Sequence, residues 1–259
     1  MDIPVIYENG SIAVINKPAG IVVNRSESTR EGTIQDWAEH KFSKNPASPA
    51  RFAEPASPRG ESRRAGRNLQ FSDDDSEFKA RSGIVHRLDK DTSGILLIAK
   101  SPGAFTALKR QFMERTVEKT YRAIVHGTLP NDGEIRVPVA RLPWNRMRFG
   151  VVPGGRASVT KFRALGTTDM GEGIGTVTLA ELYPETGRTH QIRVHMQYIG
   201  HPVVGDALYG GRKVYQRDIR AVTRLMLHAY RIVFHHPTSG ERLVFEAAIP
   251  DDMKRIIDA

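Results

Sequence analysis

The stretch "SGIVHRLDKDTSGILLIAK", residues 82–100, places a cluster of charged residues in front of an apolar run. Asp89 lies in that cluster between Arg87 and Lys90, and the run ILLIA (95–99) follows. A short, continuous apolar run next to turn residues predicts a strand that is buried on both faces. Burial alone disfavours an ionised carboxylate, whereas a close cation favours it. The stretch therefore predicts a carboxylate that is fixed by a buried strand and kept charged by cations.

The same residues allow two other interpretations of Asp89. It could form a structural ion pair or cap a turn, and the segment 91–94 (DTSG) is a plausible turn. The spacing of Asp89, Asp91 and Ser93 also imitates the first half of a calcium-binding loop. That loop needs a Glu at its twelfth position, where this chain has Lys100, so a calcium site is not predicted.

Local signals elsewhere indicate a strand-rich α+β chain. Asn9-Gly10 predicts a tight hairpin turn, Thr33 a helix N-cap, and Ser101-Pro102 a helix start. In "TGRTHQIRVHMQYIG" the spacing predicts a helix with Thr189 as its cap and Gly200 as its end. Few crossover helices separate the strands. A mixed, largely antiparallel sheet with flanking helices is therefore expected, not a doubly wound parallel one.

One segment differs in composition from the rest of the chain. Residues 43–82 are rich in Pro, Ser and Arg, and Leu69 is their only Leu, Ile, Val or Met. Such a segment buries too little apolar surface to offset the entropy of ordering. We therefore predict a mobile insertion at about 45–78 within a single domain that spans 1–259.

Charge and composition narrow the class of protein. The 259 residues carry a formal net charge of +9, which suggests a polyanionic partner. There are no cysteines, which excludes disulfides and thiolate metal sites and fits a reducing compartment. No apolar run approaches a membrane span, and the first residues show no export signal, so we expect a cytoplasmic protein. The nine His form no convincing metal site; His190 and His195 point to different helix faces.

The opening stretch resembles the signature of the RluA-type RNA pseudouridine synthases. Four further motifs occur in family order and extend the resemblance over about 1–42 and 83–259: "VINKPAGIVV" (14–23), "EKTYRAIVHG" (118–127), "ETGRTHQIRVHMQYIGHPVVGDALYG" (185–210) and "LMLHAYRI" (225–232). The resemblance implies a sheet in two halves with a catalytic cleft between them. Many members carry a small RNA-binding domain ahead of this region, and we expect none here.

The resemblance also implies roles for four residues. Asp89 corresponds to the catalytic nucleophile, and Arg193 to the basic residue that faces it. Tyr121 corresponds to the ring that stacks under the target uracil, although a single strand tyrosine commonly packs in a core. Arg87 corresponds to the side chain that fills the space left by a flipped base, although an exposed arginine can equally contact phosphate or nothing. No metal or organic cofactor is expected, because the isomerisation involves neither a redox change nor a net transfer.

These residues predict an enzyme that isomerises uridines in structured RNA to pseudouridine. Ribosomal RNA of the large subunit is the expected substrate, and transfer RNA is the alternative. Two rival classes stay open: a non-catalytic RNA-binding or ribosome-assembly protein, and a hydrolase of nucleosides. We expect a monomer without an obligate protein partner.

Overall fold

A computed structural model describes residues 1–26, 29, 32–42, 72–171 and 173–258. Within these ranges it contains eleven strands and six helices. The strands are β1 (Val5–Glu8), β2 (Ile12–Lys17), β3 (Ser93–Ala99), β4 (Glu118–His126), β5 (Asp132–Arg136), β6 (Val139–Leu142), β7 (Asn145–Val151), β8 (Val159–Asp169), β9 (Thr176–Pro184), β10 (Leu227–His235) and β11 (Arg242–Glu246). The helices are α1 (Ile34–Phe42), α2 (Ser72–Arg81), α3 (Pro102–Glu114), α4 (Gln191–Tyr198), α5 (Arg212–Asp218) and α6 (Asp251–Ile257).

Nine of the strands form one sheet in the order β1-β2-β3-β10-β4-β9-β8-β5, with β11 paired to β10. Only the β3–β10 pair is parallel, and the other described pairs are antiparallel. The predicted α+β class with a mixed, largely antiparallel sheet is therefore confirmed. Within the described ranges, no helix combines the length and the apolarity that crossing a bilayer requires.

Strand β3 is buried at all seven positions, as its apolar run predicts. Its side chains alternate between two cores. Ile95 and Leu97 pack in a cluster with helix α3, and Leu96 and Ile98 pack in a cluster with helix α1. Alternation along a strand sends successive side chains to opposite faces. The strand that follows Asp89 is therefore clamped from both faces.

A third and larger core lies in the other half of the sheet. It joins β4 and β9 to helices α4 and α6. Tyr121 on β4 packs against both this core and the α1-side core of the first half. The sheet thus has two halves, and Tyr121 lies where they meet.

Helix boundaries follow the local signals closely. The Thr33 hydroxyl accepts from the Asp36 backbone N–H at 3.1 Å, and the Asp36 carboxylate accepts from the Thr33 N–H at 2.7 Å, which is a reciprocal capping box. The Ser101 hydroxyl caps α3 through the Ala104 N–H. The helix starts predicted at Thr33 and Ser101 are confirmed.

The predicted C-terminal bound of the insertion, at about residue 78, was wrong. Most of the segment, residues 45–71, lies outside the described residues. Helix α2, however, covers residues 72–81, and Phe78 packs edge-on against Phe105 of α3 with ring centroids 6.0 Å apart. Glu77 also pairs with Lys109 of α3, and the Gln35 side chain donates to the Ala80 carbonyl at 2.7 Å. The one large apolar side chain of the helix gave no periodic pattern in the sequence.

Strands β6 and β7 form a separate two-stranded sheet. A small core connects this hairpin to the rest of the molecule through Val139, Val194 of α4 and Tyr209. The hairpin therefore lies against the helix that carries Arg193.

Candidate active site

A cleft of about 480 Å³ lies between the two halves of the sheet and contains all four predicted site residues. Its walls come from the segment before β3, from β4, and from the segment that enters α4. The charged side chains that line it are mostly basic: Arg81, Arg87, Arg115, Lys119, Arg188 and Arg193, against Asp89 and Glu185. A low-dielectric cleft lined by one sign of charge concentrates ligands of the other sign.

The loop that carries Asp89 is fixed by its backbone. The Thr92 N–H donates to the Asp89 carbonyl at 3.2 Å, so the turn covers 89–92 instead of the predicted 91–94, where β3 has already begun. The buried Lys17 ammonium donates to three backbone carbonyls at 2.8–2.9 Å, and one of these is that of Lys90. The N-K-P-x-G motif thus ties the N-terminal segment to the turn that presents Asp89.

His86 fastens the same loop to the edge of β3. Its Nε2 accepts a hydrogen bond from the Leu97 backbone N–H at 2.9 Å, and its ring stacks on Phe112 at 4.7 Å. Burial, together with the charge of Lys119, lowers the pKa of His86 to about 3. The imidazole is therefore neutral at physiological pH, as an acceptor of a backbone N–H must be.

Arg193, on the first turn of α4, joins two carboxylates. Its Nη1 donates to Asp89 Oδ2 at 3.1 Å, while Nε and Nη2 donate to the two oxygens of Asp206 at 2.7 and 2.8 Å. Burial works to lower the pKa of Arg193, but Asp206 and Asp89 raise it above its ordinary value. The guanidinium is therefore a permanent cation held in one orientation.

Asp206 is the site residue that the sequence reasoning missed. It lies within the quoted motif "GHPVVGDALYG", and its carboxylate also accepts from the backbone N–H groups of Leu208 and Tyr209 at 2.9 and 3.0 Å. Gly205 before it has φ +76°, and a Cβ there would lie 2.2 Å from the Arg224 carbonyl oxygen. The Gly-Asp pair in that motif was the available signal, since glycine alone fits this turn.

His190 stands at the position before α4, in the left-handed conformation with φ 55°, and makes no side-chain cap. The predicted Thr189 cap is therefore wrong, because the helix begins one residue later than a Thr189 cap requires. The His190 Nε2 lies 3.9 Å from Asp89 Oδ1, and its Nδ1 is 2.8 Å from the Tyr209 hydroxyl. Burial lowers the pKa of His190, with Asp89 acting against that shift.

Tyr121 and Arg87 differ in how they are held. Tyr121 is half-buried and lines the cleft from β4, and burial, then the charge of Asp89, raises the pKa of its phenol. Its hydroxyl is therefore protonated at neutral pH. Arg87 also lines the cleft but is exposed, and among the described residues its guanidinium has no hydrogen bond or ion pair.

The profile of RNA pseudouridylate synthases matches residues 11–198, which is well over half of the chain. The chain belongs to this family. The ribosomal large subunit pseudouridine synthase D of Neisseria meningitidis serogroup B is 36% identical over 264 residues, covering 99% of this chain and 61% of that protein. The enzyme of the same name from Vibrio parahaemolyticus is 35% identical over 268 residues, covering 100% and 71%. The chain thus spans about three fifths of the Neisseria relative's length.

Two solved human structures share the fold of this family member. Human RNA pseudouridylate synthase domain containing 1 superposes with a TM-score of 0.68 at 24% identity, covering 95% of this chain and 83% of that one. Human RNA pseudouridylate synthase domain containing 4 superposes with a TM-score of 0.67 at 21% identity, covering 98% of this chain and 92% of that one. The pseudouridine synthase fold is therefore confirmed.

Proposed function

We propose that this protein isomerises uridines in structured RNA to pseudouridine, with Asp89 as the catalytic carboxylate. The observation that carries the proposal is the state of that carboxylate. One oxygen is paired with the fixed guanidinium of Arg193, and the other has no hydrogen-bond partner among the described residues. A carboxylate that is held and still has an oxygen without a hydrogen-bond partner suits a nucleophile or charge stabiliser beside a ribose.

The reaction breaks the bond between ribose carbon and uracil nitrogen, turns the base, and forms a carbon–carbon bond. It needs neither an oxidant nor a second substrate, because only a proton is redistributed, from carbon 5 to nitrogen 1. Asp89 stabilises or captures the ribose or base while the two are separated. Arg193 holds one oxygen of Asp89 through a hydrogen bond, and Tyr121 stacks under the uracil with its protonated hydroxyl near carbon 5.

Arg87 supplies the step before the chemistry. A uridine within a stem-loop must leave its stack to reach the cleft, at a cost of a few kcal/mol. The exposed guanidinium of Arg87, which has no ion pair within the described ranges, can stack in the gap that the base leaves, and its planar shape suits that contact. The basic lining of the cleft holds the flanking phosphates.

Ribosomal RNA of the large subunit is the substrate that we favour. Two relatives at 35–36% identity carry names that refer to it. Transfer RNA is the alternative, and the residues of the cleft do not discriminate between the two. The cofactor-free reaction, the monomeric state and the cytoplasmic location are predictions from the sequence.

The test is a map of pseudouridine over all cellular RNA in a strain that lacks the gene, complemented with wild type or with Asp89→Asn. We expect at least one ribosomal site to disappear and to return with wild type only. Loss confined to transfer RNA would move the substrate and leave the chemistry intact.

Purified protein separates the remaining classes. With carbon-5-tritiated RNA, a synthase releases tritium and yields pseudouridine after exhaustive chelation of metals. A hydrolase of nucleosides releases free uracil, and a non-catalytic RNA-binding protein binds the RNA without any product. Either of the last two results contradicts the proposal.

A further inference from the structure

The side chain of His190 reaches the cleft beside Asp89 and is tied on its other side to Tyr209. Its Nε2 lies 3.9 Å from Asp89 Oδ1, which is too long for a hydrogen bond, and its Nδ1 lies 2.8 Å from the Tyr209 oxygen. The proposed chemistry with Asp89, Arg193 and Tyr121 gives this histidine no role.

Tyr209 determines which nitrogen of His190 carries the proton. The phenol is 3% exposed, and burial raises its pKa, so it keeps its O–H. Among the described residues, two groups lie within hydrogen-bond distance of that oxygen: the Phe149 backbone N–H at 3.0 Å and His190 Nδ1. An N–H can only donate, so the phenol proton must go to Nδ1. The neutral imidazole therefore carries its own proton on Nε2.

The Nε2–H stands beside the free oxygen of Asp89, with a gap of 3.9 Å between the two heavy atoms. The side chains of His190 and Asp89 are 17% and 18% exposed, so a ligand oxygen that approaches this gap from the cleft can contact both. Burial lowers the pKa of His190, and Arg193 acts in the same direction, which favours the neutral ring at physiological pH. A phosphate in this gap would be repelled by Asp89. The acceptor that fits is a neutral oxygen.

We propose that His190 is a substrate-binding residue whose Nε2–H donates to a ribose hydroxyl or a uracil carbonyl of the nucleotide bound at Asp89. Tyr209 is a positioning residue that fixes the required tautomer. This inference rests on the proposed function, because it names the acceptor through the nucleotide. It also connects the β6–β7 hairpin to the cleft, since the backbone N–H of Phe149 on β7 donates to the phenol oxygen.

Two substitutions separate the two nitrogens of the ring. In His190→Asn, the amide oxygen replaces Nδ1 as the acceptor for Tyr209, but nothing replaces the Nε2–H. In His190→Gln, the amide nitrogen reaches the Nε2 position as a donor, and the acceptor for Tyr209 is lost. The backbone at position 190 adopts the left-handed conformation, which Asn tolerates better than Gln. Stability therefore ranks Asn above Gln, whereas activity is expected to rank Gln above Asn.

The readouts are single-turnover kcat/KM for pseudouridine formation, the thermal midpoint and the Kd for the same RNA. We expect His190→Asn to lose about 30-fold in kcat/KM, as the loss of one buried hydrogen bond predicts, and His190→Gln to stay within about 5-fold of wild type. The Kd of His190→Asn should weaken by no more than about the same factor, because a hydrogen bond to the bound nucleotide counts in the Kd only as far as it forms before the chemical step.

The control for positioning is Tyr209→Phe, which keeps the ring and removes the phenol proton. It should lower kcat/KM by about 3- to 10-fold, since the tautomer is no longer fixed. With an active wild type, equal rates for the Asn and Gln variants would overturn the role of His190. A Tyr209→Phe rate equal to wild type would overturn the positioning role. An inactive wild type would overturn the proposed function as well.

Discussion

Asp89 and Asp206 contact the same arginine and are held in opposite ways. The Asp206 side chain is fully buried and accepts four hydrogen bonds, two from Arg193 and two from the backbone of Leu208 and Tyr209. The Asp89 side chain is 18% exposed and, from the residues that the structure describes, accepts one, from Arg193 at 3.1 Å. Two aspartates that contact the same arginine thus differ strongly in the number of hydrogen bonds that they accept.

The difference teaches how a carboxylate becomes available for chemistry. The Asp206 carboxylate accepts hydrogen bonds from groups that hold the fold in place, and two of these bonds fix the Arg193 guanidinium. Arg193 can then donate to Asp89 without reorganising, which is what a preorganised electrostatic site requires. Asp89 retains an oxygen that accepts no hydrogen bond from the part of the chain that the structure describes.

The same substitution at the two carboxylates tests this contrast. Asp89→Asn should lower pseudouridine formation by at least about 1,000-fold, because the amide is neither a nucleophile nor an anion. Its thermal midpoint should stay within about 3 °C of wild type, since Arg193 keeps Asp206 as a partner. Tritium release and differential scanning calorimetry measure the two effects. Substantial turnover by this variant would remove Asp89 from the chemistry.

Asp206→Asn should act mainly on stability. Neutralising a buried partner of Arg193 is expected to lower the free energy of unfolding by about 3 kcal/mol, a fall of roughly 6–12 °C in thermal midpoint. Activity below the melting range should also fall, because the guanidinium is no longer aligned with Asp89. If Asp206→Asn melts at the same temperature as Asp89→Asn, the structural role assigned to Asp206 is wrong.

Arg193→Lys tests whether one cation must serve both carboxylates. An ammonium is a point charge and cannot reproduce the two-sided contact of the guanidinium. We expect kcat/KM to fall by roughly 100-fold, which corresponds to about 2.7 kcal/mol. Single-turnover kinetics on a short RNA stem-loop measure this, and full activity of the lysine variant would show that charge alone suffices.

We expect acid to lower the stability of the protein, because His86, which holds the loop that carries Asp89, becomes protonated. Its folded pKa of about 3 lies below its ordinary 6.5, so its contribution to stability is complete above pH 6.5 and is lost as pH falls toward 3. At pH 5 that loss amounts to about 2 kcal/mol. His86→Gln keeps an acceptor for Leu97 but does not titrate.

The His86→Gln variant should therefore lose less stability than wild type between pH 7 and pH 5. Chemical denaturation of both proteins at each pH gives the comparison. His228, whose pKa burial lowers to about 4, stays in both proteins, so its own acid sensitivity cancels in the difference. Parallel pH curves for the two proteins would mean that His86 is not the group that titrates.

The helix starts and the central strand could be predicted because their signals are local. Ser101 and Thr33 cap their helices through groups three residues away, and the apolar run of β3 carries its own burial pattern. Helix α2 could not be predicted, because it depends on Phe78 meeting Phe105, a contact between distant parts of the chain.

The sequence by itself determined a basic, cysteine-free α+β chain with a charged turn in front of a buried strand, and it singled out Asp89, Arg193, Tyr121 and Arg87. Only the tertiary structure brought Asp206 onto Arg193 and Tyr209 onto His190. The physical reason is distance along the chain. Caps and strand patterns are decided by neighbours a few residues away. The partners of a buried charge are decided by which loops pack together, and that packing cannot be read from the order of residues alone.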